Sequence, residues 1–323
     1  MFNISERKFV LSLYFLFGLS GVLSNIFLML IIISVKKLRT TVNMLIINLS
    51  ISDILICIVC VPFTATHILH NRWFFYLYAC KFVALIQAIS VFVSALTISA
   101  IAFHRWKVIT GNYRVNVRTN SYKKTFAMVW LLAILISLPI CICFSDVRIE
   151  QSEFYLYNRC LETWSIKARS FYSSVTFVVQ LILPLLSLIA CQLKIHFHLA
   201  MNNLHSQQTK CEITSNGEIF VVSRCYRECR ERNKRVVLTL FCIWIAFLVS
   251  WLPWHLINLY FDCITEISFS AQKLNLLFAS CHLIAISSAT TNPILYGWFN
   301  ASIRNEVKTL KVKIFQYFQT RNK

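Results

Sequence analysis

The sequence predicts an all-α membrane protein, a seven-transmembrane helix bundle followed by an amphipathic C-terminal helix. Long charge-free stretches, prolines inside them, and a one-sided gathering of basic residues carry that reading. The chain has 323 residues, 57% of them apolar and 14% charged, with a formal charge of +19. A soluble protein carries about 25% charged residues. The deficit is local: charge is absent from Phe9 to Val35, Phe82 to Phe103, Thr125 to Phe144, Ser170 to Leu193, Val236 to Phe261 and Leu274 to Ile303. Val42 to Leu69 carries one charge, Asp53. Each stretch reaches the roughly 20 residues that a helix needs to cross a bilayer.

Residues 1–8 form a short N-terminus, expected outside the cell. Spans are expected over 9–35, 42–69, 76–109, 122–144, 170–200, 232–261 and 272–298. The first is too long for a cleaved signal peptide and lacks a small-residue cleavage site, so it reads as a signal anchor. Lys36, Lys37 and Arg39 follow it, six basic residues lie from Arg105 to Lys124, eight from Lys194 to Arg235, and six after span seven. That is 23 of the 32 basic residues on one side, which the positive-inside rule makes cytoplasmic. The charge therefore marks a membrane face and requires no nucleic acid.

The five prolines, Pro62, Pro139, Pro184, Pro253 and Pro293, each fall inside a different span. Soluble helices exclude interior proline, because it removes a hydrogen bond and clashes with the preceding turn. Membrane helices tolerate it where neighbours satisfy the freed carbonyls. Between spans four and five, Ser145 to Arg169 contains "EFYLYNRC", an alternating stretch that reads as a strand. Met201 to Glu231 is a polar, basic cytoplasmic loop. Residues 299–315 put Phe299, Ile303, Val307, Leu310 and Ile314 at helical spacing beside Arg304, Lys308 and Lys311, an amphipathic helix suited to lipid headgroups; 316–323 are a tail.

Of 13 cysteines, most lie in spans or on the cytoplasmic side. Cys80 opens span three on the outer side and Cys160 lies in the long outer loop, so a bridge between them would tie that loop over the bundle mouth. Cys263 reads as an unpaired outer thiol. Cys225 and Cys229 are too few for a structural zinc site. Of the sequons at Asn3, Asn48 and Asn300, Asn3 alone lies outside and is the expected glycosylation site.

One apolar stretch, "WLPWHLINLYFDC", carries Trp251, His255, Asn258 and Asp262 at i, i+4, i+7 and i+11, a polar stripe on one helix face. Its context is a set of motifs in order: Asn25 in "GVLSN", Asp53 in "NLSISD", Arg105 at the end of span three, Trp130, Pro184, Trp251 and Pro253 in "SWLP", and Asn292, Pro293 and Tyr296 in "TNPILY". The chain resembles the rhodopsin-like G-protein-coupled receptors along nearly its whole length. The resemblance implies an activation switch at Arg105, Trp251, Pro253, Asn292, Pro293 and Tyr296. Asp53 in a membrane span is a functional candidate in its own right. The resemblance surrounds it with Asn25, Ser94, Trp251 and Asn292, around a sodium ion or waters.

The pocket narrows the subfamily. An amine receptor has a carboxylate where this chain has Gln87, and an opsin a lysine where it has Ile286. Thr64, Gln87, Gln180, Asn258, Asp262 and His282 instead resemble the pocket of neuropeptide Y and neuropeptide F receptors. Trp73 in "RWFFYLYAC" and the "CLETW" segment resemble that family's outer loops. Its ligands end in Arg-Tyr-amide or Arg-Phe-amide. Asp262, expected at the pocket rim, would pair with the guanidinium; Asn258 would assist, and Thr64, Gln87 and His282 would bond the uncharged amide. The partners implied are an amidated neuropeptide, a heterotrimeric G protein of the inhibitory class, and membrane lipids, at the plasma membrane.

Some positions depart from the pattern. His104 stands where an acid precedes the arginine, Asn233 replaces the acid on span six, and Gln192 replaces a tyrosine on span five. Asn112 replaces a proline, and no cysteine follows Cys281 as a lipid anchor. A receptor-like protein with weak or constitutive signalling is thus the alternative, with a transporter behind it, although no internal repeat supports one. No enzyme is expected, since His196 and His198 read as a solvated pair.

Overall fold

The computed structural model describes residues 4–70, 72–111, 121–152, 155–212, 219–263 and 271–321. Among them, 7 helices are long and apolar enough to cross a membrane. Span one is Ile4–Ser34. Span two is Thr41–Leu55, a π turn at Ile56–Cys60, and Val61–His70. Spans three and four are Leu77–Ile109 and Ser121–Cys143. Span five is Ile166–Phe177, a π turn at Val178–Ile182, and Leu183–Glu212. Spans six and seven are Ile219–Cys263 and Ala271–Phe299, and the C-terminal helix is Ala301–Arg321.

Several helix limits differ from those expected. Span one starts at Ile4 and includes Glu6, Arg7 and Lys8, and span five starts at Ile166, where Ser165 accepts a hydrogen bond from the Ala168 N–H. Charge-free runs mark the apolar band, whereas helices continue beyond it wherever the backbone bonds can be made and capped. The polar segment from Met201 likewise continues span five to Glu212, and Ile219 opens span six.

Both π turns lie just before a proline, Pro62 and Pro184. Each proline lacks an N–H and crowds the carbonyl four residues earlier, so the turn there widens. Pro139, Pro253 and Pro293 sit inside continuous helix. Span three ends at Thr110 and Gly111, whose φ of 73° is the left-handed conformation that glycine adopts freely.

Apolar packing is directed inward, with Phe92 and Phe247 fully buried, while Phe15, Leu19, Leu23 and Phe27 face out along span one. Spans one and two approach closely at Gly21, where an added Cβ would meet Cys57 Sγ at 2.6 Å. Polar bonds tie spans two, three and four: Asn48 donates to Thr97 at 2.8 Å, and the Trp130 indole donates to Asn48 at 2.7 Å. Asn48 is fully buried, which removes its sequon from glycosylation. The Asn3 site lies outside the described residues, as do Asn112 and the Cys225, Cys229 and Cys263 side chains.

A two-stranded antiparallel hairpin, β1 (Phe144–Ser152) and β2 (Tyr155–Glu162), covers one end of the bundle. β2 contains the described part of the expected strand; β1 was missed, although Val147 and Ile149 alternate with Asp146, Arg148 and Glu150. Cys80 and Cys160 form a disulfide, and the Trp73 N–H donates to Asn158 O at 2.7 Å, so span three and the segment before it both hold the hairpin. At the opposite end, Asn300 caps the C-terminal helix through Ser302 N and Ile303 N and donates to Asn43 at 3.1 Å. Lys37 and Glu306 pair at 2.6 Å, and Ile303 is wholly buried against the bundle.

Candidate functional site

The hairpin end of the bundle gathers most of the polar candidates. Trp251, His255 and Asp262 are buried and Asn258 is half-buried, so the stripe on span six faces inward. Asp262 stands one residue from the end of the span-six helix and is 8% exposed, so it is enclosed there. The reason is span five. Arg169 and Ser173 stand one turn apart on that helix and cover both carboxylate oxygens. Arg169 Nε lies 2.8 Å from Asp262 Oδ1, and the Ser173 hydroxyl donates to Oδ2. Arg169 Nη2 also donates to the Phe261 carbonyl at 3.1 Å.

A second carboxylate stands nearby. Glu162 closes β2, and its Oε2 accepts from the Trp164 indole at 2.8 Å; Trp164 rests on Tyr172 with ring centroids 5.0 Å apart. Glu162 is exposed as a residue, but its carboxyl end loses hydration. That pushes it above the usual carboxylate range; the Trp164 bond opposes the shift, Asp262 adds to it, and Arg169 counters it.

Deeper in the bundle, His282 joins three spans. Its Nδ1 is 3.0 Å from the Tyr14 hydroxyl, and its Nε2 is 3.5 Å from Gln87 Nε2. With Gln87 donating, the ring proton sits on Nδ1 and goes to the Tyr14 oxygen. Trp254 packs on His282 at 5.0 Å and its carbonyl accepts from the Asn258 amide N–H at 2.7 Å, a bond within the Asn258 helix itself. Trp254, Phe278 and Phe261 then make a chain of ring contacts that ends beside Asp262. Gln180 is buried within the span-five π turn and Thr64 is half-buried on span two. Among the described residues neither hydrogen-bonds another candidate.

The core polar cluster is only partly joined. Asn292 donates to Asp53 Oδ2 at 3.0 Å. Ser94 bonds Ser52 at 2.9 Å and Ser90 O at 3.0 Å. Asn25 donates to the Gly21 and Ala289 carbonyls at 2.9 and 2.7 Å, and Trp251 to Ser288 at 3.1 Å, so neither engages the Asp53 carboxylate. The amide oxygens of Asn25 and Asn292 are buried without a hydrogen-bond donor among the described residues. Carboxylate and amide oxygens are the donor type that a hard cation takes.

At the far end, Arg105 is half-buried and Tyr296 buried. Pro253 and Pro293 interrupt the hydrogen-bond ladders of spans six and seven. Lys194 of span five lies over the Trp106 ring, 4.3 Å from its centroid.

Sequence reasoning missed Arg169, Ser173, Tyr14, Trp254 and Phe278. Arg169 had a readable signal: Ser165 is a good N-cap, which puts Arg169 inside the helix and not in the loop before it. Tyr14 had none, because its partner is 268 positions away.

The sequence model of the family described as "7 transmembrane receptor (rhodopsin family)" matches residues 24–296. A neuropeptide F receptor of Drosophila melanogaster is 33% identical over 311 residues, covering 93% of this chain and 62% of the relative. This chain thus spans less than two thirds of that relative's length. A neuropeptide Y receptor type 6 of Oryctolagus cuniculus is 29% identical over 299 residues, covering 90% of this chain and 76% of the relative. A neuropeptide Y receptor type 1 of Xenopus laevis is 32% identical over 302 residues, with the same two coverages, 90% and 76%.

Proposed function

The chain belongs to the rhodopsin family of seven-transmembrane receptors, and on that premise we propose that it binds an amidated neuropeptide ending in Arg-Phe-amide or Arg-Tyr-amide and signals through a heterotrimeric G protein. Similarity to receptors named for neuropeptides F and Y supports the peptide class. The observation that carries the reading is Asp262. It is a buried carboxylate on span six that already holds a guanidinium at 2.8 Å, so its surroundings suit the arginine of such a ligand. Gln87 and His282, 3.5 Å apart, would bond the C-terminal amide, with Thr64, Gln180 and Asn258 lining the approach.

The hairpin end is then extracellular and the C-terminal helix cytoplasmic, at the plasma membrane. The 23 basic residues on the latter side support this orientation. The inhibitory class of G protein is the favoured partner. Asp53 and Asn292, with Asn25 and Ser94 beside them, would hold a sodium ion that stabilises the resting receptor.

Truncating one side of a desolvated charge pair costs about 2–5 kcal/mol. Asp262→Asn should therefore weaken binding of an Arg-Phe-amide or Arg-Tyr-amide peptide by roughly 30-fold or more. The test is competition binding on membranes, with each peptide compared with its Ala-for-Arg analogue. The Ala analogue should bind the native chain poorly and lose little further on Asp262→Asn. Additive losses would mean that the two groups do not meet.

A further inference from the structure

The Asp262 carboxylate has a guanidinium partner before any ligand arrives. Arg169 reaches it from span five, 2.8 Å from Oδ1, while Nη2 donates to Phe261 O at 3.1 Å. The Arg169 side chain is 31% exposed and that of Asp262 is 11% exposed, so the arginine lies on the wetter side of the pair. Ser173 holds the other oxygen from the same helix face. Glu162 lies close enough to feel both charges. Asp262 and Glu162 thus set two carboxyl groups against the one guanidinium of Arg169.

We propose that Arg169 is an internal competitor for the ligand's arginine: it occupies Asp262 in the unliganded receptor, yields it to the incoming guanidinium, and moves toward Glu162. The inference rests on the peptide reading given above and adds the residue that sets the strength of that contact. A ligand guanidinium gains only the difference between its own pairing and the one it breaks. The exchange also explains selectivity. A ligand cation must match a planar fork held by Asp262 and the Phe261 carbonyl, a geometry that an ammonium meets poorly. The released Arg169 has a carboxylate waiting, so four charges end in two pairs and none is left without a partner.

The test uses the full chain, tagged for surface expression. The probe is the tighter of two fluorescent peptides, one ending in Arg-Phe-amide and one in Arg-Tyr-amide, with its Ala-for-Arg analogue beside it. Arg169→Gln should raise affinity for the arginine peptide by about tenfold, the scale of one partly buried charge pair. The Ala analogue should gain nothing. Arg169→Lys, which keeps the charge and loses the fork, should give a smaller gain. On an Asp262→Asn background the gain from Arg169→Gln should vanish. A purely structural Arg169 would behave differently: its removal would weaken both peptides equally, and that result overturns the proposal. So does an unchanged affinity in Arg169→Gln while native binding still depends on Asp262 and on the peptide's arginine. Indifference of the native chain to the peptide's arginine would instead overturn the peptide reading of the site, and this inference with it.

Discussion

Tyr14 and His282 show how a single contact organises the deep site. Both are 1% exposed, and the hydroxyl and ring nitrogen meet at 3.0 Å across spans one and seven. Removing the hydroxyl leaves a buried N–H unsatisfied, which costs about 1–3 kcal/mol. Tyr14→Phe should therefore lower the melting temperature of the receptor purified in nanodiscs. It should also weaken peptide binding, because the His282 ring would lose the contact that orients it toward Gln87. The check is a cycle: in a His282→Phe background, Tyr14→Phe should cost little. Equal losses in both backgrounds would separate the two residues. At this scale the sequence spoke for His282 and was silent on Tyr14, since a tyrosine in an apolar run looks like any other aromatic filler. Asp262 was legible as a functional carboxylate, but its burial was not, because the side chains that cover it belong to another helix.

Spans three and five are joined near their far ends by Lys194 over the Trp106 ring at 4.3 Å. His104 and Asn233 stand where acids on spans three and six would restrain the arginine, whereas this cation–π contact ties span three to span five. Such contacts contribute about 0.5–1 kcal/mol at exposed sites. If G-protein coupling parts these helices, losing the tie shifts the population toward the active arrangement. Lys194→Met should raise basal nucleotide exchange on membranes by about two- to fivefold, the ratio that this energy allows. Trp106→Leu should do the same, and the double variant should add nothing. Unchanged exchange in both single variants would exclude the tie as a restraint. Lys194 and Trp106 were each visible in the sequence, but their meeting depends on how two helices are rotated about their axes.

Orientation belongs to the whole molecule. With 23 of 32 basic residues at the end that carries the C-terminal helix, that end should be cytoplasmic. An epitope placed before Met1 should be stained on intact cells, and one placed after Lys323 only after permeabilisation. The reverse pattern would invert the Asp262 end and remove the peptide from its reach. The same end-to-end division appears in the packing: a disulfide and a hairpin close one mouth, while Asn300, Asn43, Lys37 and Glu306 pin the C-terminal helix at the other.

The seven spans, their order and the basic bias were legible along the chain because transfer of apolar residues into lipid and exclusion of charge act residue by residue and add up locally. The prolines were legible too, but the two π turns that follow from Pro62 and Pro184 needed the packed backbone to show which helices widen and which stay regular. The membrane setting marked Asp53 as a carboxylate too expensive to bury without purpose, and the family resemblance marked Asp262 and His282 as pocket residues. Only the tertiary structure decided their partners: Asn292 for Asp53, Arg169 and Ser173 for Asp262, Tyr14 and Gln87 for His282. Those pairings join residues between 89 and 268 positions apart. They depend on the rotation and tilt of whole helices, which are set by every contact along each interface and by no short stretch of sequence.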